Sequence, residues 1–184
     1  FYRNLQDSLK FVNLEAEKIA HYGEEYLSMS EYYHNVSESW IKETINQYDI
    51  IHFAAHSGTY DGMYEEGIFL NSDTNNDGIF TSTEISEINL EGQIIFLSSC
   101  ESAIGDYQLG EGIMSIAKAF IDAGASSVIA SLWKLNDKNA HDLVMAFYKN
   151  YFDGQSISIS MYNAQKNHNS MAPKLQYPFI HISY

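Results

Sequence analysis

Apolar residues in this chain follow two rhythms. Short unbroken runs alternate with longer stretches in which apolar residues recur every three or four positions. The runs are Asp49-Ile50-Ile51-His52-Phe53-Ala54-Ala55, Gln93-Ile94-Ile95-Phe96-Leu97-Ser98-Ser99 and the segment 126–133. Runs this short, with no polar alternation, fit strands buried on both faces. The helical rhythm predicts a helix over 5–21, with Leu5, Leu9, Phe11, Val12, Ile19 and Ala20 on one side, and another over 38–47, with Trp40, Ile41 and Ile45. It predicts a third over 111–123, where Ile113, Met114, Ile116, Ala117 and Phe120 form a stripe and Gly124 supplies the stop. A fourth spans 136–151, with Leu143, Val144, Phe147 and Tyr148 inward and a stop near Gly154, and a fifth spans about 157–167. Thr81 and Glu84 have capping-box spacing and open a short helix reaching Ile88. Residues 66–70 predict a short strand near a sheet edge, and 179–184 a last strand. Strands alternating with helices imply an α/β fold, a mainly parallel central sheet covered by helices on both faces.

Composition narrows the setting. A chain of 184 residues with 45% hydrophobic and 18% charged content fits one soluble globular domain, 1–184. No apolar run approaches the roughly 20 residues of a membrane span. The start, Phe1-Tyr2-Arg3-Asn4, has neither an initiator Met nor a signal-peptide pattern, so we expect a fragment of a longer chain. One cysteine excludes an internal disulfide and fits a reducing, cytoplasmic compartment. A net charge of −14 disfavours direct contact with nucleic acid, because phosphates would be repelled.

Candidate chemistry sits where two of the buried runs end. The first closes at His56-Ser57-Gly58 and the second at Cys100-Glu101-Ser102. In an open α/β sheet, sites form beyond the carboxyl ends of the strands. A histidine beside a cysteine can raise the thiolate fraction and protonate a leaving group, which makes Cys100 and His56 a candidate nucleophilic pair. The alternative for Cys100 is a buried structural thiol. His52, inside the first run, reads as a core or supporting histidine. A glutaminase-type nucleophile elbow would need glycines where Ser98 and Ser102 stand. Asp73-Thr74-Asn75-Asn76-Asp77-Gly78-Ile79-Phe80-Thr81-Ser82-Thr83-Glu84 has the spacing of a calcium loop. Asp73, Asn75, Asp77, the Ile79 carbonyl and Glu84 are the candidate ligands, and a capped helical turn is the competing account.

Five segments occur together in order: His52-Phe53-Ala54-Ala55-His56, Leu97-Ser98-Ser99-Cys100-Glu101-Ser102, Gly110-Glu111-Gly112, Ala119-Phe120-Ile121-Asp122-Ala123-Gly124-Ala125 and Ser131-Leu132-Trp133-Lys134-Leu135-Asn136-Asp137. With these the chain resembles the CHAT domains, caspase-like peptidase domains often attached to tetratricopeptide repeats. The resemblance implies a caspase-like three-layer fold, a Cys–His dyad falling on Cys100 and His56, and hydrolysis of a protein or peptide substrate. It implies an oxyanion hole from backbone N–H groups of Cys100 and of Ser57 or Gly58. It also implies a specificity pocket and peptide groove near Glu101, Asp106, Trp133 and Asp137, bacterial origin, and an N-terminal repeat region or activating partner. No cofactor is required, with calcium the one candidate. Two departures stand out. Ser57 separates His56 from Gly58, where the family usually has glycine directly after the histidine, and Tyr177-Pro178-Phe179-Ile180-His181 lacks the family's tryptophan. The first leaves a second reading open, a non-catalytic CHAT module for interaction or regulation.

Overall fold

The unbroken apolar runs become the strands of one sheet, and the periodic stretches become helices. A computed structural model describes residues 9–27, 29–59, 65–98, 111–131, 137–171 and 179–183. In chain order its elements begin with α1 (Leu9–Gly23) and α2 (Glu38–Thr44), which tightens into a 3-10 turn at Ile45–Gln47. Next come β1 (Ile50–Phe53), β2 (Ser57–Thr59), β3 (Glu66–Phe69), β4 (Ile79–Thr81), α3 (Ser82–Glu87) and β5 (Ile94–Leu97). The rest are α4 (Glu111–Asp122), β6 (Ser127–Ser131), α5 (Asp137–Phe152), α6 (Ile157–Met171) and β7 (Phe179–Ser183). Residues 35–134 with 179–184 make one compact unit, and 1–34 with 135–178 another.

In the first unit β1, β5 and β6 run parallel, in the order β1-β5-β6-β7, and β7 closes the sheet antiparallel to β6. β5 is interior, and Ile95, Phe96 and Leu97 are each no more than 1% exposed. That burial on both faces is the physical reason its run has no polar alternation. α4 covers this core with Ile113, Ile116, Ala117 and Phe120. The Phe120 ring meets Phe53 at 5.6 Å and Phe80 at 6.4 Å between centroids. Met114, expected in that stripe, instead lies 40% exposed. The helix ends at Gly124, whose φ of 108° is open to glycine and strained for other residues. The architecture is α/β, with a mainly parallel sheet and helices packed on it.

A second, three-stranded antiparallel sheet, in the order β2-β3-β4, belongs to the same unit. β3 corresponds to the short strand read at 66–70, but it is the middle strand rather than an edge. Its partners, Ser57-Gly58-Thr59 and Ile79-Phe80-Thr81, have three residues each, too few to show a period-two pattern. α3 opens with a complete capping box, in which Glu84 N–H donates to Thr81 Oγ1 and Thr81 N–H to Glu84 Oε2.

The other unit contains α1, α5 and α6. Leu143, Val144, Phe147, Tyr148, Met161 and Ala164 are buried in it. Tyr26 stacks on Phe152 at 5.4 Å. Among the described residues no helix is long and apolar enough to cross a membrane.

Candidate active site

Parallel pairing fixes how the ends of β1 and β5 stand to one another. Ile50 pairs with Ile94 and Phe53 with Leu97. One further rung continues the ladder, Ser98 N–H donating to Phe53 O at 2.9 Å. His56 follows Phe53 by three positions, and Cys100 follows Leu97 by three. Paired strands are about 4.8 Å apart. β1 and β5 therefore end at the same level, on the carboxyl side of the sheet.

His56 lies where the parallel sheet hands the chain to the antiparallel one. Phe69 N–H donates to His56 O at 2.8 Å, so β3 holds the histidine main chain. That bond also sets the alternation of the ladder. Ser57 pairs with Ile68 and Gly58 with Gly67. Antiparallel pairs alternate between bonded and non-bonded, so Gly58 and Gly67 exchange hydrogen bonds and the Ser57 N–H faces away from β3. Ser57 is buried, and Gly58 has φ 153°. Of the two backbone donors proposed from the sequence, Gly58 is thus engaged in the sheet. His52 stacks on its ladder partner Phe96, with centroids 4.8 Å apart, which agrees with a packing role.

Cys100, Glu101, Asp106 and Trp133 lie outside the described residues. Asp137 is the first residue of α5, in the other unit, and its side chain is likewise outside the description.

The 73–84 segment wraps the start of α2. Asp73 Oδ1 accepts from the N–H groups of Asn75 and Asn76, and its Oδ2 from Ser39 N–H. These bonds, Asn75's first, hold its carboxyl well below the ordinary range. Asp77 Oδ1 accepts from Ile79 N–H. Asn76 Nδ2 donates to Ser39 Oγ at 2.6 Å. Glu84 Oε2 serves the capping box, while Oε1 accepts from Lys42 Nζ at 3.0 Å. Among the described residues no three His, Cys, Asp or Glu side chains gather closely enough to hold a metal ion.

Lys42 also donates to Glu38 Oε1 at 2.6 Å, and Glu38 is fully buried. Burial pushes the Glu38 carboxyl up; the Lys42 bond pulls it back, and neighbouring Glu84 adds to the rise. For Glu84 burial also acts upward, but the bonds from Thr81, Glu38 and Lys42 outweigh it and bring the carboxyl down to about 2. The four-residue spacing of Glu38 and Lys42 was a legible signal for part of this network. Nothing local pointed to Glu84 as the third member.

Two adjacent carboxylates at the start of β3 also escaped the sequence reading. Glu65 Oε1 accepts from Ser82 Oγ at 2.8 Å and from Thr83 N–H, in the first turn of α3. Glu66 lies over the first turn of α4, where a Cβ added to Gly112 would fall 2.7 Å from both carboxylate oxygens.

An α/β domain with two registered strand ends, one of them leading into a histidine, is the class defined so far. Comparison with known proteins makes the assignment specific: the chain belongs to the CHAT domain family, a caspase-like family, whose model matches residues 3–179. Tetratricopeptide repeat protein 28 of Mus musculus is 28% identical over 88 residues, 48% of this chain and 4% of that protein. Its Homo sapiens counterpart is 24% identical over 88 residues, again 48% and 4%. The chain thus matches only a small fraction of these long relatives, which by name carry tetratricopeptide repeats.

Proposed function

We propose that this chain is a cysteine endopeptidase domain of caspase-like fold, using Cys100 as nucleophile and His56 as its acid–base partner. The observation that carries the reading is the Phe53–Leu97 register, with His56 and Cys100 each three residues beyond it. An unperturbed cysteine, with pKa about 8.5, is only a few per cent thiolate at pH 7. An imidazole alongside raises that fraction. The thiolate attacks the scissile carbonyl, and the resulting oxyanion takes hydrogen bonds from backbone N–H groups. The N–H groups of Cys100 and of Ser57 or Gly58 are the candidate donors. Losing one such donor typically costs 100- to 1000-fold in rate, roughly. His56 then protonates the departing amine, and water hydrolyses the thioester.

The substrate is a protein or peptide, and a tetratricopeptide-repeat region or a partner protein supplies activation. The named repeats of the two relatives support that association. The test is intact mass after exposure to peptidyl electrophiles with different P1 residues, for wild type and His56→Ala. A single adduct on Cys100 that needs His56 supports the dyad, and the preferred P1 defines the pocket. Labelling no faster than a free thiol, and unchanged by His56→Ala, would sink the reading for this chain.

A further inference from the structure

β3 touches both the His56 main chain and the helix that follows Cys100 in sequence. At one end Phe69 N–H holds the His56 main chain. At the other end, about 10 Å away along a four-residue strand, the Glu66 carboxylate rests against Gly112. Gly112 is buried in the first turn of α4, and α4 is the helix that follows Cys100 in sequence. Both carboxylate oxygens stand 2.7 Å from where a Cβ would be, and Cδ stands 2.5 Å from it. A Cβ at this position would push the carboxylate aside. A negative charge over the first turn of a twelve-residue helix also opposes its dipole and favours the contact.

We propose that Glu66 is a positioning residue for the Cys100–His56 pair, its carboxylate on Gly112 fixing the start of α4 against the strand that holds His56. The inference rests on the dyad reading above. Glu65 makes the comparison informative. It is the neighbouring carboxylate and binds the first turn of a different helix, α3. Removing Glu65 should weaken the fold without disturbing the pair, whereas removing Glu66 should disturb the pair itself.

The experiment uses the chain's single cysteine. Alkylation by iodoacetamide is followed from pH 5 to 10 in wild type and in Glu66→Ala, Glu66→Gln, Gly112→Ala, Glu65→Ala and His56→Ala, with melting curves for each. Glu66→Ala and Gly112→Ala should each slow alkylation at pH 7 roughly tenfold and move the profile towards that of a free thiol near 8.5. The double variant should lose no more than either single, because both remove one contact. Glu66→Gln, which keeps the shape and one acceptor, should recover part of the rate, and Glu65→Ala should lower the melting temperature but keep the wild-type profile. Should Glu66→Ala fail to fold, Gly112→Ala and Glu66→Gln carry the test. A shifted profile in His56→Ala with a wild-type profile in folded Glu66 and Gly112 variants overturns the positioning role alone. An unshifted profile in His56→Ala overturns the dyad, and the positioning role with it.

Discussion

Replacing Lys42 by Met tests the buried charge network most directly. Met keeps the unbranched stem, whose ammonium end lies 5.8 Å from the Phe80 ring, and removes only the charge and its donors. Glu38, fully buried, loses the donor at 2.6 Å, and Glu84 loses the one at 3.0 Å. Removing one partner of a buried pair typically costs about 3–5 kcal/mol. Lys42 is 30% exposed, so the lower part of that range applies. A second limit comes from protonation. Glu38 can take up a proton instead of remaining a buried anion. Against an unfolded value of 4.5, that costs about 3.4 kcal/mol at pH 7 and about 1.4 kcal/mol at pH 5.5. Its folded carboxyl is already raised, so part of this is present in the wild type. We therefore expect a loss of about 2–3 kcal/mol at pH 7 and about 1 kcal/mol or less at pH 5.5. The sign follows from linkage. A carboxyl raised in the folded state gives its full stability below the unfolded value, and that stability is lost as pH rises. Urea unfolding of wild type, Lys42→Met and Lys42→Met/Glu38→Gln at both pH values measures it. The double variant should recover most of the loss at pH 7. An equal loss at both pH values, or no recovery with Glu38→Gln, would refute the argument.

The remaining expectations are smaller in scope. Glu84, lowered to about 2, and Asp73 and Glu65, also lowered, supply stability that is present above about 4.5 and is lost as pH falls below it. Melting temperature should fall between pH 5 and 3, and the fall should be shallower in Glu84→Gln. Thr81→Ala removes the hydroxyl that caps α3 and should cost about 0.5–2 kcal/mol in chemical unfolding. Gly124→Ala places a Cβ 2.4 Å from the Leu90 carbonyl oxygen at φ 108°, whereas Gly92→Ala at φ 98° meets nothing within 4 Å. Gly92→Ala should therefore cost only the backbone strain, about 1–2 kcal/mol, and Gly124→Ala clearly more. Equal effects in unfolding titrations would show that the Leu90 contact relaxes without cost. Phe120→Ala, at the junction of α4 with Phe53 and Phe80, should lose about 3–5 kcal/mol and leave a cavity.

What the sequence settles by itself is local. The run Ile94-Ile95-Phe96-Leu97 reads as a strand buried on both faces, because successive side chains of a strand point to opposite sides and all four here are apolar. The Ile113–Phe120 stripe with Gly124 behind it specifies a helix, one buried side and a stop. Thr81 and Glu84 specify the capping box at which α3 begins. The motifs around His56 and Cys100 gave the family before any fold was drawn. The tertiary structure decided what depends on distant partners. Ser57-Gly58-Thr59 and Ile79-Phe80-Thr81 are strands only because Glu66–Phe69 lies between them, and three residues carry too little pattern to announce it. Met114 satisfies the helical period yet faces water, since the period fixes a stripe but not its width. Gly58 and Ser57 are adjacent in sequence and equal as donors, and only the pairing with Gly67 separates their N–H groups. Lys42 meets Glu84, and Glu66 meets Gly112, across separations of more than forty residues. Electrostatic and steric contacts of that kind follow from the placement of whole elements, which no local rhythm of side chains encodes.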